Sequence, residues 1–349
     1  MDLPAGVRNF SYARDMAIFR TKTHWALLIL LLVLLFTLPL FLSNHWLSVA
    51  NLIGISIIAA TGLNILTGYC GQLSIGHAGF IAVGAYTSAV LTNRFDWPFL
   101  GAILASGLLA GTIGMLFGIP SLRVKGFYLA ISTIAAQLII IWVIQHWTGM
   151  TGGFEGIEVP TVKFFGFELI KQSHYYFLII SVTIMVVFFA KNLARTRPGR
   201  AFIAIRDNDL AAEVMGINLF RYKLLAFFIG CFLAGIAGSL LAHSIGFISA
   251  ENFNISDSIL YIGIIIIGGL GATVGPIFGV LFIRLLQQGI TYVAPVMENT
   301  FGLTAGFATG LGPMIMGLVI ILFLILEPRG LAHRWQLFKA SYRLWPFSY

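Results

Sequence analysis

Long apolar runs, separated by short polar joints, fill the chain from residue 25 to residue 326. Runs near 25–42, 47–66, 98–118, 127–145, 174–190, 224–246, 277–295 and 306–326 each have the length, roughly 17–25 residues, that an α-helix needs to cross the hydrocarbon core of a bilayer. Two more, near 77–92 and 258–270, are short and interrupted by glycine. The pattern predicts an all-α polytopic membrane protein with about ten transmembrane helices. It divides the chain into an N-terminal segment 1–24, a transmembrane domain 25–326 and a C-terminal tail 327–349.

An even number of crossings puts both termini on one side. Lys and Arg then fall unevenly: 17 lie on the side of the termini, in segment 1–24, the turn 121–126, the stretch 191–223 and the tail, and only Arg94, Lys163 and Lys171 lie opposite. Basic residues collect on the cytoplasmic side of membrane proteins, so both termini are expected in the cytoplasm. Arg284, near the inner part of the ninth run, is the one clear charge left within a span. The same count makes spans 2–5 begin outside and spans 7–10 begin inside, the relation of an inverted four-helix repeat. The short third and eighth runs take matching places in the two halves, which is the pattern of a transporter core.

Composition agrees. Of 349 residues 58% are apolar and 10% charged, against about 25% charged in a soluble domain, and the mean hydropathy is +0.93. The net charge of +8 follows from the cytoplasmic bias and implies no nucleic-acid partner. Cys70 and Cys231 both lie in apolar surroundings and offer neither a disulfide framework nor a metal spacing. The first run follows a polar segment and lacks a small-residue cleavage site, so it reads as a retained span in contact with lipid.

Several chemistries lack their residues. The nearest approach to a nucleotide loop, Gly271-Ala-Thr-Val-Gly-Pro276, has no lysine to hold a phosphate. No histidine pair at zinc spacing, cofactor motif or carboxylate cluster falls within a span, whereas ion-driven carriers usually bury such groups. A proton-coupled carrier and a membrane-embedded enzyme are both disfavoured, and the energy source is expected on another chain.

The stretch 191–223 is the one internal segment dense in charge. It holds Lys191, Arg195, Arg197, Arg200, Arg206, Arg221 and Lys223 together with Asp207, Asp209 and Glu213. After Pro198-Gly199 the residues Arg200 to Arg206 can form a short helix with Ala201, Ile203, Ala204 and Ile205 as apolar surface. Asp207, Asn208 and Asp209 are cap candidates for a second helix. In that helix Leu210 and Val214 share a face at i,i+4, and Gly216 is a natural stop. Two short helices with mixed charge and a few apolar anchors make a knob able to enter a groove on a soluble partner. An ordinary basic cytoplasmic loop explains the arginines, but not the capped register or the acids.

Several segments carry a resemblance. They are Gly62-Leu-Asn-Ile-Leu-Thr-Gly68, Gly71-Gln-Leu-Ser-Ile-Gly-His-Ala-Gly-Phe80, Gly84-Ala-Tyr86, Thr151-Gly-Gly-Phe-Glu-Gly-Ile157, Gly199–Gly216, Gly268-Gly-Leu-Gly-Ala-Thr-Val-Gly-Pro276 and Glu327-Pro-Arg-Gly-Leu331. In this order they resemble the permease subunits of ATP-binding-cassette importers of the branched-chain amino-acid (Liv) family, closest to the LivM type. The resemblance implies a bacterial inner-membrane protein that pairs with a second permease, here of the LivH type. It further implies two cytoplasmic ATPase subunits and a periplasmic solute-binding protein. It makes the segment with Arg200, Arg206, Asp207, Asp209, Leu210, Glu213 and Gly216 the coupling loop that docks on the ATPase. The solutes implied are branched-chain amino acids or similar small polar molecules, with a stand-alone secondary transporter or channel as the alternative.

Two further places are candidates. The broken-helix residues Gly71, Gln72, Ser74, Gly76 and His77, with Gly268, Gly269 and Gly271, either allow close packing or line the translocation pathway. His77 alone reads more readily as a hydrogen-bonded structural residue. The outer loop with Thr151, Gly152 and Gly153 is either a contact for the binding protein or a mobile polar loop.

Overall fold

A computed structural model of the chain describes residues 22–121, 126–164, 167–168, 171–301 and 305–344. Arg8, Arg14, Arg20, Arg123 and Lys125, which contribute to the expected charge bias, lie outside the described residues. Each expected span lies on a helix: α1 (Lys22–Thr37), α2 (Asn44–Leu63), α3 (His77–Arg94), α4 (Phe99–Ser121) and α5 (Phe127–His146), then α7 (Gln172–Leu193), α10 (Leu219–Ile245), α11 (Ile255–Gly268), α12 (Gly275–Phe301) and α13 (Ala305–Leu326). A π-helical turn, Asn64–Tyr69, extends α2. Between the long helices lie the short α6 (Thr148–Thr151), α8 (Arg197–Asp207) and α9 (Asp209–Val214). The tail forms a further helix, α14 (Gly330–Leu344), bent by 46° from α13. Strand pairing among the described residues is minor: β1 (Ile157–Glu158) lies antiparallel to β4 (Phe247–Ile248), and β2 (Lys163–Phe164) to β3 (Phe167–Glu168).

Seven described helices are long and apolar enough to cross a membrane, or up to eight if α13 and α14 form one broken span. The expected count of about ten is therefore not reached on length and hydropathy. α1 is short; the apolar stretch it begins runs His24–Leu40, ending in a 3-10 turn at Leu38–Leu40. α3 is polar for a span, and the reason is internal: Ser88 accepts a hydrogen bond from Ser239 at 2.8 Å and lies 3.0 Å from His243 Nε2, with all three side chains buried. A helix shielded by its neighbours can carry hydroxyl groups that a lipid-facing one cannot.

α10 runs through the centre, packed on α2, α3 and α4. Close approach of helix backbones makes this core. A Cβ on Gly62 would lie 2.6 Å from the Gly230 carbonyl oxygen, and one on Gly238 would collide with the Ile81 carbonyl. Without water, chain segments in a bilayer associate through such packing, which only small residues allow.

Connections alternate between two ends of the bundle. One end brings together Gly68, Arg206, Gly271 and Gly330. The other joins Asn51 to Gln172, Asn93 to Glu158, Val159 to Gly246 and His45 to Gln288. Element order also recurs: a long helix, an irregular connection and three helices occur as α2–α5 and again as α10–α13, the second connection holding a short 3-10 turn at Ala250–Asn252. The first connection, 70–76, begins at the Arg206 end, and the second, 246–254, begins at the opposite end. In chain order the counterpart of the break before α3 is thus 246–254, while Gly268–Pro276 corresponds to the turn 95–98.

Candidate functional site

The charged stretch folds as two capped helices, as its pattern predicts. Thr196 caps α8, its hydroxyl accepting from Gly199 N at 3.4 Å, and Pro198 sits in the first turn, where a missing N–H costs nothing. A Cβ on Gly199 would strike the Leu193 carbonyl, so this glycine lets α8 fold back against the end of α7. The inner face of α8 is Ala201, Phe202 and Ile205, all buried. Phe202, fully buried and edge-on to Tyr222 at 6.3 Å, is the anchor of the segment. Of the four residues expected to supply apolar surface, Ala201 and Ile205 are buried and Ile203 and Ala204 half-buried; Phe202 was not among them.

Of the three cap candidates Asn208 caps α9, accepting from Ala211 N at 3.0 Å. The helix ends in a Schellman motif: Gly216 at φ +84° donates to Glu213 O at 2.9 Å and Ile217 to Ala212 O at 3.0 Å. Asn218 then caps α10 through Arg221 N at 3.0 Å. Leu210, Val214 and Met215 are 67%, 87% and 81% exposed. Three large apolar side chains thus stand out from a polar, capped turn at one end of a membrane bundle. A cavity of about 630 Å³ opens beside them, bordered by Asp209, Leu210, Glu213, Ile217 and Phe220. Arg200 turns back to the Arg195 carbonyl at 2.8 Å, a local role.

Arg206 ties this knob to the bundle. Its Nη1 donates to Gly68 O at 3.0 Å, across 138 residues, while Nε and Nη2 hold Asp207 Oδ1 at 2.9 and 2.8 Å. Asn64, in the π-turn beneath, clamps the second break: Oδ1 accepts from Gly271 N at 2.9 Å and Nδ2 donates to Ala272 O at 3.0 Å. Tyr69 OH lies 3.0 Å from Thr273 Oγ1. Gly271, at φ +74°, leaves no room for more: a Cβ there would lie 2.6 Å from Arg206 Nη1 and 2.9 Å from Gly68 O. Gly268 and Gly269 make the turn that precedes it, and Gly330 at the start of α14 packs on Gly269. Asp209 pairs with the buried Lys223 at 3.7 Å. The knob, both glycine breaks and the start of α14 therefore meet at one node.

The first break is mostly sealed. Gly71, at φ +70° against Arg206, and Gln72 border a cavity of about 360 Å³ shared with Arg206 and Asp207. Beyond them the chain is held tightly: Ile75 N donates to Thr133 Oγ1 at 2.9 Å, and a Cβ on Gly76 would strike the Thr133 carbonyl. His77 Nε2 lies 2.9 Å from Ala59 O, with Tyr261 edge-on at 6.0 Å. Ala78 N donates to Ser258 Oγ at 2.8 Å, and Ser258 donates to Gln137 at 2.7 Å. Ser74 Oγ and His77 Nδ1 are buried without a hydrogen-bond partner among the described residues.

In the outer loop Thr151 faces inward. Its hydroxyl donates to Ile144 O and Trp147 O at 2.6 and 2.8 Å and accepts from Gly153 N at 3.2 Å. Gly152 and Gly153, at φ +72° and +61°, wrap the chain around it. The structure does not bring these three into the open. Phe154, 68% exposed, and Glu155 form the outward tip instead.

Over residues 46–324 the chain matches the family described as branched-chain amino acid transport system / permease component. The high-affinity branched-chain amino acid transport system permease protein LivM of Escherichia coli (strain K12) is 31% identical, over 75% of this chain and 67% of that protein. LivM of Salmonella typhimurium is 29% identical, over 87% and 74% respectively. The autoinducer 2 import system permease protein LsrC of Escherichia coli (strain K12 / DH10B) is 26% identical, over 86% of both chains.

Proposed function

The chain belongs to the branched-chain amino acid transport system permease family, and on that premise we propose how it works. It is a multi-span, non-catalytic subunit that forms half of the pathway of an ATP-driven importer. Its cargo is branched-chain amino acids or similar small polar solutes. The segment Arg197–Gly216 is its coupling element, held in a groove of one of two cytoplasmic ATPase subunits. A second permease of the LivH type completes the pathway, and a periplasmic binding protein delivers the solute to the outer loops. This places the protein in the bacterial inner membrane with both termini cytoplasmic, in keeping with the basic bias at the Arg206 end. The family match favours this reading over a stand-alone transporter or channel.

One observation supports the coupling role above the others: exposed Leu210, Val214 and Met215 sit on a knob whose base, Arg206, is bonded directly to Gly68 and packed on Gly271. Closure of the ATPases would pull the knob, and the node would pass that displacement to both broken segments, as rigid packed elements do. Ser74 and His77, with polar atoms unmatched in this state, are then placed to meet solute or new partners in another. Cysteine crosslinking from Ala211→Cys or Glu213→Cys in the assembled complex tests the docking. Capture of an ATPase subunit is expected, and labelling of lipid alone would remove the coupling role.

A further inference from the structure

Beyond its first residue, the tail helix α14 has no role in the proposed coupling. It follows α13 through a turn that is built rather than loose: Gly330, at φ +73°, donates to Glu327 O at 2.9 Å, and Arg334 Nε donates to Glu327 Oε2. Its first turn is seated on the second break, where a Cβ on Gly330 would strike Gly269 and where Ala332 is buried. From there it departs from α13 at 46°. Its 15 residues span about 22 Å at 1.5 Å per residue, too little for a hydrocarbon core of about 30 Å. It also carries His333, Arg334, Gln336 and Lys339, so it does not continue the span.

An aromatic string fixes its level. Trp335 lies edge-on to Phe278, in the first turn of α12, at 6.0 Å, and stacks with Phe338 at 5.8 Å. α12 begins at the end of the bundle that holds Gly271 and Arg206, so α14 crosses the rim within about a turn of the end of a span. Leu331, Trp335 and Phe338 recur at i, i+4 and i+7 and make one apolar stripe. Leu331 packs inward, whereas Trp335 and Phe338 are exposed. Lys339 Nζ stands 5.6 Å from the centre of the Trp335 ring, so its stem runs beside the stripe and its charge ends at the stripe's edge. Residues 327–344 hold Arg329, Arg334, Lys339 and Arg343 against Glu327 alone, and Glu327 is already paired with Arg334.

Exposed aromatics, edged by cations and level with the rim of a membrane bundle, fit the boundary between acyl chains and headgroups. The bases call for anionic partners, and the acidic phospholipids of a leaflet supply phosphates at that level. We propose that α14 is an interfacial helix lying on the inner leaflet, with Trp335 and Phe338 at the apolar edge of the headgroup zone and Lys339 on the phosphate of an anionic phospholipid. The choice of leaflet rests on the orientation proposed above. Because α14 begins on Gly269, a helix held on the leaflet also braces the second break against the membrane surface.

The test uses the assembled complex in lipid nanodiscs, with and without the ATPases. Nitroxides are attached at Phe338→Cys, on the stripe, and at Ala340→Cys, two residues on and so on the opposite face. Cys70 and Cys231 are buried, and the otherwise unchanged chain gives their background. In discs of phosphatidylglycerol and phosphatidylethanolamine the Phe338 label should meet oxygen in preference to a water-soluble nickel chelate, and the Ala340 label the reverse. A Lys or Arg beside an anionic surface favours contact roughly fivefold. Lys339→Glu should therefore lower the ratio of lipid-facing to water-facing Phe338 label at least tenfold, while Lys339→Arg should not. Discs of phosphatidylcholine alone should lower it too. Equal exposure of both labels to the chelate, or a Phe338 label equally lipid-facing in phosphatidylcholine, overturns the proposal. Shielding of Phe338 from both reagents gives the stripe to a protein partner and overturns it as well. Orientation is read separately: Ala340→Cys should react with an impermeant maleimide in inverted vesicles and not in intact spheroplasts. The reverse would overturn the orientation and leave the surface helix in place on the other leaflet.

Discussion

Replacing Arg206 by glutamine removes the charge and the Nη1 contact with Gly68 while keeping much of the stem that packs beside Gly71. A hydrogen bond to a charged group contributes about 1.5–3 kcal/mol. The ion pair with Asp207 adds little, because the two side chains are 37% and 61% exposed and exposed pairs contribute about 0–1 kcal/mol. The fold, built around α10, should survive this loss. If the node transmits the stroke, however, 1.5–3 kcal/mol corresponds to roughly a ten- to hundredfold loss in coupled transport. Gly271→Ala perturbs the same node from the other side, since its Cβ would lie 2.6 Å from Arg206 Nη1 at a φ of +74°. Leucine uptake and ATP hydrolysis should be measured separately in proteoliposomes for both single variants and the double variant. Both singles are expected to hydrolyse ATP with little uptake, and the double to be no worse than the poorer single, since residues in contact couple. Additive losses, or uptake per ATP at the wild-type level in Arg206→Gln, would refute the node as the transmission point.

Two other variants separate coupling from folding. Gly216→Pro removes the N–H bonded to Glu213 O and cannot adopt φ +84°, so uptake should be lost while membrane insertion stays intact; normal uptake would count against the Schellman stop. Gly238→Ala drives a methyl group into the Ile81 carbonyl at the centre of the bundle. Overpacking of this kind costs about 1–3 kcal/mol, and a lower melting temperature of the purified complex, with unchanged ATPase crosslinking in what remains folded, is the expected result.

Much of this architecture was legible in the sequence because membrane spans and caps are local signals. The apolar runs located the helices of all ten expected spans but not α14 in the tail, and residue type marked Gly216 as a stop while leaving Asp207, Asn208 and Asp209 as equal cap candidates. Phe202 is not singled out by the pattern because every residue from Ala201 to Ile205 is apolar, and only the folding back of α8 at Gly199 decides which of them turn inward. Contacts such as Arg206 with Gly68, or Asn64 with Gly271, join residues far apart and leave no periodic trace. Glycine at 268–271 announced a break but not what the break would meet. The Thr151-Gly-Gly loop shows a related limit: its polarity is that of a contact surface or a mobile loop, but residue type does not show that its positive-φ glycines turn the threonine inward and leave Phe154 outside.

On the proposed function, this chain moves solute only when an ATPase pulls its coupling element. Leucine accumulation measured in proteoliposomes with and without the ATPase subunits tests it directly. Accumulation should need the ATPases, ATP and the binding protein together, with none from this chain alone. Concentrative uptake by the chain alone would contradict it.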